Sequence, residues 1–343
     1  MKQKYAKKIV KYFDSIVERT IFKLVDKTNN FFSKNSKVSN FNKVLIAFIS
    51  LLFVYLFYLS IPTLYNKTWL QNTVEKKLVE DFKVNFSTSS NISYYILPTP
   101  HFLIKDAKIF KDKIENTNSL AEIKNLKVFV SQKNFFDKEK IILKKLNIDN
   151  ANFSLLRNEI KILNNHNYQL SNKKIKINKS NIFFKDNLNE VITIIKINEA
   201  ILFFDDEEEL NLFNLKGNVF GTSFTIELKN KNDSLTTKEI NFKAKSLKLN
   251  IFNKSIVENN NINSGKNIIS FLNTTIRTKY NIKEKIITFT NDNSRLNNSK
   301  INYKGELSIN PFDLDLNINL GKYKISKLFT LNIVCNKRII NPP

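Results

Sequence analysis

The chain carries one cysteine, Cys335, among 343 residues. A single thiol excludes an intrachain disulfide framework and a cysteine-built metal site; it neither requires nor forbids an oxidising compartment. Glycine is nearly as scarce, at five residues. A phosphate cradle needs closely spaced glycines, and neither that pattern nor G-x-S-x-G occurs. There are two histidines, His101 and His166. Neither has Cys or Asp at metal-ligand spacing, and both read as surface or loop residues. The acidic run Asp205–Glu209 lacks the glycine turn and ligand spacing of a calcium loop, so it reads as a solvated turn between two strands. The expectation is a protein with no catalytic residue, no cofactor and no metal, and not an enzyme.

Acidic residues are also in short supply: 31 against 55 basic ones, a net charge of +24. Such a balance suits nucleic acid or an anionic membrane. The lysines are spread along the chain, and no helix-turn-helix, RRM or zinc-finger pattern accompanies them, so nucleic acid is not an expected partner. Residues 1–43 hold eleven Lys/Arg and three Asp/Glu. There Ile9, Phe13, Ile16 and Val17 fall near one helical face. This tail suits an amphipathic helix on an anionic membrane surface, and equally a solvated basic helix that only sets topology.

What is present next is a long apolar run. Residues 44–61, VLIAFISLLFVYLFYLSI, contain no charge and no glycine. Eighteen helical residues reach about 27 Å, enough for a thin bilayer core. Tyr55, Tyr58 and Tyr65 suit the interface. A cleaved signal peptide is the competing reading. The length of the run, the 43-residue tail before it and the lack of a small-x-small cleavage site speak against that. The basic tail places the N-terminus in the cytoplasm by the positive-inside rule.

Pro62 is expected to end the membrane helix. Residues 62–82 then place Leu70, Val74, Leu78 and Phe82 four apart, one stripe of an amphipathic helix. From Phe82 onward the apolar period changes to two, with short polar connections and no long helical pattern. A parallel βαβ architecture is therefore not expected. In FDLDLNINL, Phe312, Leu314, Leu316, Ile318 and Leu320 point one way while Asp313, Asp315, Asn317 and Asn319 point the other. About fifteen such strands are expected, antiparallel and with one apolar face. Two of the six prolines, Pro98 and Pro100, follow Leu97 between two strand-like runs. Proline cannot donate to a ladder, so Leu97-Pro98-Thr99-Pro100 reads as a rigid extended corner; an ordinary loop is the alternative.

The order of elements resembles the N-terminal region of the AsmA family of bacterial envelope proteins. The sharpest match is ISYYILPTPHFLIKDAKI, Ile92 to Ile109, with its Leu-Pro-x-Pro. LAEIKNLKVFVSQKNFF and IILKKLNIDNANFSLLRN resemble the strands that follow, the latter with an Ile-Asp-x-Ala step. LKGNVFGTSFTIEL and YKGELSINPFDLDLNINL resemble the family's strand–Gly–strand and Pro-Phe-x-Leu units. The likeness covers roughly residues 40 to 330. It implies a mainly β fold: a curled, open antiparallel sheet whose apolar groove holds phospholipid acyl chains. It also implies an inner-membrane single-pass protein of outer-membrane or envelope biogenesis, with residues 83–330 periplasmic. Phe312, Leu314, Leu316, Ile318 and Leu320 become groove candidates, and Leu97, Pro98 and Pro100 the corner motif. Family members are often longer, and residues 331–343 lose the alternation, so a shortened form is expected. The alternative is a membrane-tethered β-sandwich scaffold or assembly factor with a closed core and no lipid.

Overall fold

The structure, a computed structural model, describes residues 40–320 except 83, 90, 111–118, 134, 138–139, 158–168, 232–235, 259–260, 298 and 310. The expectations for residues 1–39, for His166 and for the segment 331–343 lie outside the described residues. The chain divides into two units, Met1–Ser60 and Ile61–Pro343.

In the first unit, α1 spans Asn40–Ser60, starting four residues before the expected boundary. Up to Phe57 its apolar side chains, among them Phe41, Phe48 and Phe53, are exposed all round, and Leu59 near its end is buried. Together with the following residues it is long and apolar enough to cross a membrane. At its end the Ser60 hydroxyl donates to the Phe57 carbonyl at 2.7 Å.

The second unit opens with a 3₁₀ turn, Ile61–Leu64, which contains Pro62. Helix α2, Lys67–Phe82, follows, later than the expected start at residue 62. Asn66 caps it: its side-chain oxygen accepts the Trp69 N–H at 3.1 Å. The expected stripe Leu70, Val74, Leu78 and Phe82 is the buried one. Its polar side is tied to the sheet through Thr88. The Gln71 amide donates to the Thr88 carbonyl at 2.6 Å, and the Thr88 hydroxyl donates to Glu75 at 2.8 Å.

Seventeen strands then form one sheet: β1 (Asn85–Ser87), β2 (Ile92–Tyr95), β3 (His101–Phe110), β4 (Ser119–Val130), β5 (Leu143–Leu156), β6 (Ile175–Lys185), β7 (Val191–Asp205), β8 (Leu210–Val219) and β9 (Thr222–Lys231). They continue with β10 (Thr236–Ala244), β11 (Leu249–Glu258), β12 (Asn261–Phe271), β13 (Thr274–Lys283), β14 (Ile286–Asn291), β15 (Ser294–Leu296), β16 (Ser299–Ile309) and β17 (Phe312–Leu320). From β2 to β13 each strand pairs with the next. Both β1 and β2 pair with β3, and β14 and β15 share the space between β13 and β16. Seventeen strands thus occupy fifteen ladder rows. The sheet is antiparallel at every step but one: β5 and β6 run parallel, Leu146 opposite Ile175 and Leu156 opposite Lys185. The expected, mainly antiparallel sheet is found, and this one step departs from it. Period-two alternation reports which face a side chain takes but not which way its strand runs.

The proline corner is also corrected. Ile96–Pro100 is a tight hairpin connection that brings Tyr95 opposite His101, and its bonds do not run extended. The Leu97–Pro98 peptide is cis.

Residues opposite one another in a ladder share a face, so the registers trace the apolar side row by row. From β3 to β7 this side has a feature that alternation alone does not contain. Successive apolar positions are three residues apart, not two, at the same level in five strands. The segments are Ile104-Lys-Asp-Ala107, Ile123-Lys-Asn-Leu126, Ile148-Asp-Asn-Ala151, Ile177-Asn-Lys-Ser180 and Ile197-Asn-Glu-Ala200. Ladder pairing is kept on both sides of the step, for example Ile123 opposite Ala151 and Leu126 opposite Ile148. The extra residue takes positive φ at Asp106, Asn150 and Lys179 (56°, 57° and 46°). A left-handed residue redirects a strand. Repeated across neighbours, it creases the sheet while keeping its greasy side continuous. Ala107, Ala151, Ser180 and Ala200, each at most 2% exposed, leave room on the inside of the crease. At the boundary of β7 and β8 a bulge absorbs the step.

A lysine in left-handed backbone is strained in a way glycine is not. Lys179→Gly is therefore expected to stabilise the sheet by about 0.5–1 kcal/mol, read as a higher urea midpoint at unchanged slope.

Candidate apolar groove

The two faces of the sheet differ sharply in chemistry. One carries cross-strand ion pairs: Lys108 with Glu122 (3.5 Å), Lys127 with Asp149 (3.2 Å), and Glu199 bridging Lys176 (2.6 Å) and Lys216 (3.0 Å). Hydrogen bonds from Lys176 and then Lys216 hold the Glu199 carboxyl below its ordinary pKa. These groups are solvated, so each pair contributes at most about 1 kcal/mol. Their role is to keep this face wet.

The other face carries an apolar strip from β1 to β17, but its cover is uneven. At the start it is a closed core. Phe102, Ile104, Ile123, Leu126, Val128, Leu143, Leu146 and Ile148 are at most 2% exposed. The buried stripe of α2 belongs to this core, as does Phe135, whose carbonyl accepts from the Tyr65 hydroxyl. From β6 onward most of the same face is half-buried. In β8 to β13 one register row reads Leu215, Ile226, Phe242, Ile251, Ile269 and Ile276 without a polar interruption. The arrangement is therefore an apolar strip capped by a helix at one end and open over the rest.

Three glycines shape its floor. A Cβ on Gly217 would stand 2.6 Å from the Lys196 carbonyl and one on Gly265 2.6 Å from the Lys254 carbonyl; one on Gly305 would stand 2.7 Å from the Phe289 ring. Each glycine lies under an aromatic side chain of a neighbouring strand: Phe224, Tyr280 and Phe289 respectively. The rings fill the missing side-chain space and lie low on the sheet.

The five residues expected to line the groove do share one face of β17, opposite Ile309, Leu307, Gly305, Tyr303 and Ile301 of β16. Phe312, Leu314, Leu316, Ile318 and Leu320 are 42–75% exposed, as is Ile309 at 65%, more than most of the strip. Among the described residues β17 pairs only with β16 and is the sheet's edge. In the corner motif Leu97 and Pro98 are exposed, and Pro100 is buried. His101 departs from its expected surface place. It is 7% exposed, on β3, stacked between Tyr95 and Phe129 at 5.5 and 5.1 Å, with Nδ1 2.8 Å from the Thr99 carbonyl. The Lys145 ammonium caps the stack 4.4 Å above Phe129. These four residues form one register row, a packing device beside the corner. Asp205–Glu209 is the hairpin turn between β7 and β8: the Asp205 carboxylate accepts the N–H groups of Glu207 and Glu208 at 3.1 and 3.3 Å.

Alternation alone missed the crease, although its signal, an Ile-x-x-small tetrapeptide in four of the five strands, was there to be found. Set against models of protein families and against curated proteins, the chain matches none.

Proposed function

We propose that the chain is a membrane-anchored lipid carrier of a bacterial envelope, holding phospholipid acyl chains along the open apolar strip. One observation carries the reading: an apolar strip that continues along one face of the sheet from β1 to β17 and is left half-covered over most of its length beyond β5. A scaffold of packed sheets would bury that face over its whole length, as α2 does only at the start. Fifteen rows at about 4.8 Å give a path of roughly 70 Å. Exposing a sixteen-carbon chain to water costs on the order of 13 kcal/mol. A greasy surface of that length lowers this barrier at every point of the path. The apolar α1 fits a single-pass anchor. The resemblance to the AsmA family supports an inner-membrane location with the sheet in the periplasm and the basic tail in the cytoplasm.

The test is native mass spectrometry of the full chain after mild detergent extraction. Co-purified phospholipid is the expected result. Bare protein, from membranes in which the same detergent leaves lipid on a known carrier, overturns the proposal.

A further inference from the structure

The two ends of the sheet are finished differently. At the first end β1 and β2 are three and four residues long, and α2 is tied to them through Thr88. Short strands and a helix against them are how sheets blunt an edge. At the last end stands β17, nine residues long and exposed at every one. In an antiparallel strand every second residue turns its N–H and C=O away from its neighbour, and among the described residues β17 has β16 alone beside it. The usual guards of such an edge are missing. Phe312–Leu320 contains no lysine and no proline, Pro311 standing in the turn before it. Its ladder with β16 runs without a bulge, and none of its residues has positive φ.

The strand is also complementary to itself. Let a second copy lie antiparallel beside it, Leu316 against its own counterpart across a twofold axis. This register pairs all nine residues: Phe312 meets Leu320, Leu314 meets Ile318, Asp313 meets Asn319 and Asp315 meets Asn317. The apolar sides of the two copies then fall on one face, and no two carboxylates oppose each other across the junction. A slip of one residue would set apolar against polar along its whole length. Charge favours the same register. Within one copy Glu306 of β16 stands directly opposite Asp315, a like-charged pair that costs stability. The second copy continues that row with Asn317 and then Lys304, an amide donor and a cation beside two acids.

We propose that β17 is a docking edge for a second copy of this chain, the two sheets joining edge to edge so that the apolar strip runs on across the twofold axis. The inference stands on the strand itself and does not require a lipid cargo.

Cross-linking of the full chain in detergent micelles reads the register. In a Cys335→Ser background, Leu316→Cys puts a thiol on the axis, its Cα about 5 Å from its counterpart and within disulfide reach. Phe312→Cys and Leu320→Cys are exposed controls. Each lies four residues off the axis, so its two copies are about 27 Å apart. Under mild oxidation Leu316→Cys is expected to form a covalent dimer at least about tenfold faster than either control alone, and the two controls, mixed, are expected to link to each other. Sedimentation gives an independent readout. Asn317→Asp faces Lys304 in its own chain, so it is expected to fold as wild type does. Across the junction it sets like charges opposite each other twice, and the dimer's dissociation constant should rise about tenfold. Three results overturn the inference: equal cross-linking of the three cysteine variants, an Asn317→Asp dimer as tight as wild type, or a wild type that is monomeric at every concentration. An edge filled by the segment after residue 320 would give the last of these.

Discussion

Leu126→Asp will leave no folded sheet, whereas Leu316→Asp will melt within a few degrees of wild type. Both changes put a carboxylate on the same face of the sheet, twelve ladder rows apart. Leu126 is wholly buried, between Ile104 and Ile148 in its register row, where no water reaches. A carboxylate there must stay charged without partners or take up a proton, at a cost of several kcal/mol either way. A lost leucine contact adds about 2–3 kcal/mol. Set against a typical stability of about 5–15 kcal/mol, the sum unfolds the domain. Leu316 is 42% exposed and sits opposite Gly305. Its carboxylate stays hydrated, so the expected loss is about 1 kcal/mol of half-burial, a shift of roughly 2–4 °C. Thermal melts of the two variants beside wild type decide it. An unfolded Leu316→Asp would mean that this end of the strip has a cover of its own, and the open-groove account would fail.

Deleting Asn150 is the second change with a large expected effect. It is one of the extra residues in the crease, with φ 57°. Its neighbours β4 and β6 keep their three-residue steps, so the shortened β5 can match them on only one side of the crease. If the first half of β5 holds its register, Ala151, Phe153 and Leu155 each move one place and turn to the wet face. The loss is about 3–6 kcal/mol of apolar burial, before counting broken ladder bonds. Asn150→Gly is the control: glycine accepts the same backbone, and that variant should melt close to wild type. A deletion variant that keeps a cooperative melt near wild type would show that the crease is not held in common by its five strands.

The sequence spoke clearly wherever one period dominates. α1 announced itself by composition, α2 by four apolar residues at steps of four, and β17 by strict alternation. Three things stayed out of reach. The parallel step between β5 and β6 leaves no trace in alternation, because parallel and antiparallel strands expose their side chains alike. The crease looks like noise in a period-two scan, since Ile104 and Ala107 fall on opposite faces of an ideal strand. A row of polar side chains across β8 to β13, Asn211, Asn230, Lys238, Ser255 and Tyr280, was hidden because these residues are far apart in sequence and only the registers bring them into line. His101 was misplaced for a related reason: its stacking partners, Tyr95 and Phe129, come from two other strands.

The pairing scheme has a consequence for size. Apart from β1, β14 and β15, which interleave with near neighbours, every strand is bonded only to those before and after it in the chain. Interactions in such an array are nearest-neighbour terms, as in a solenoid. A hairpin inserted between two existing hairpins would disturb only the ladders it separates, and it would add about 10 Å. Reach is then a counted quantity, set in whole hairpins like the links of a chain gauge. Evolution or an engineer can tune it by duplication without redesigning either end.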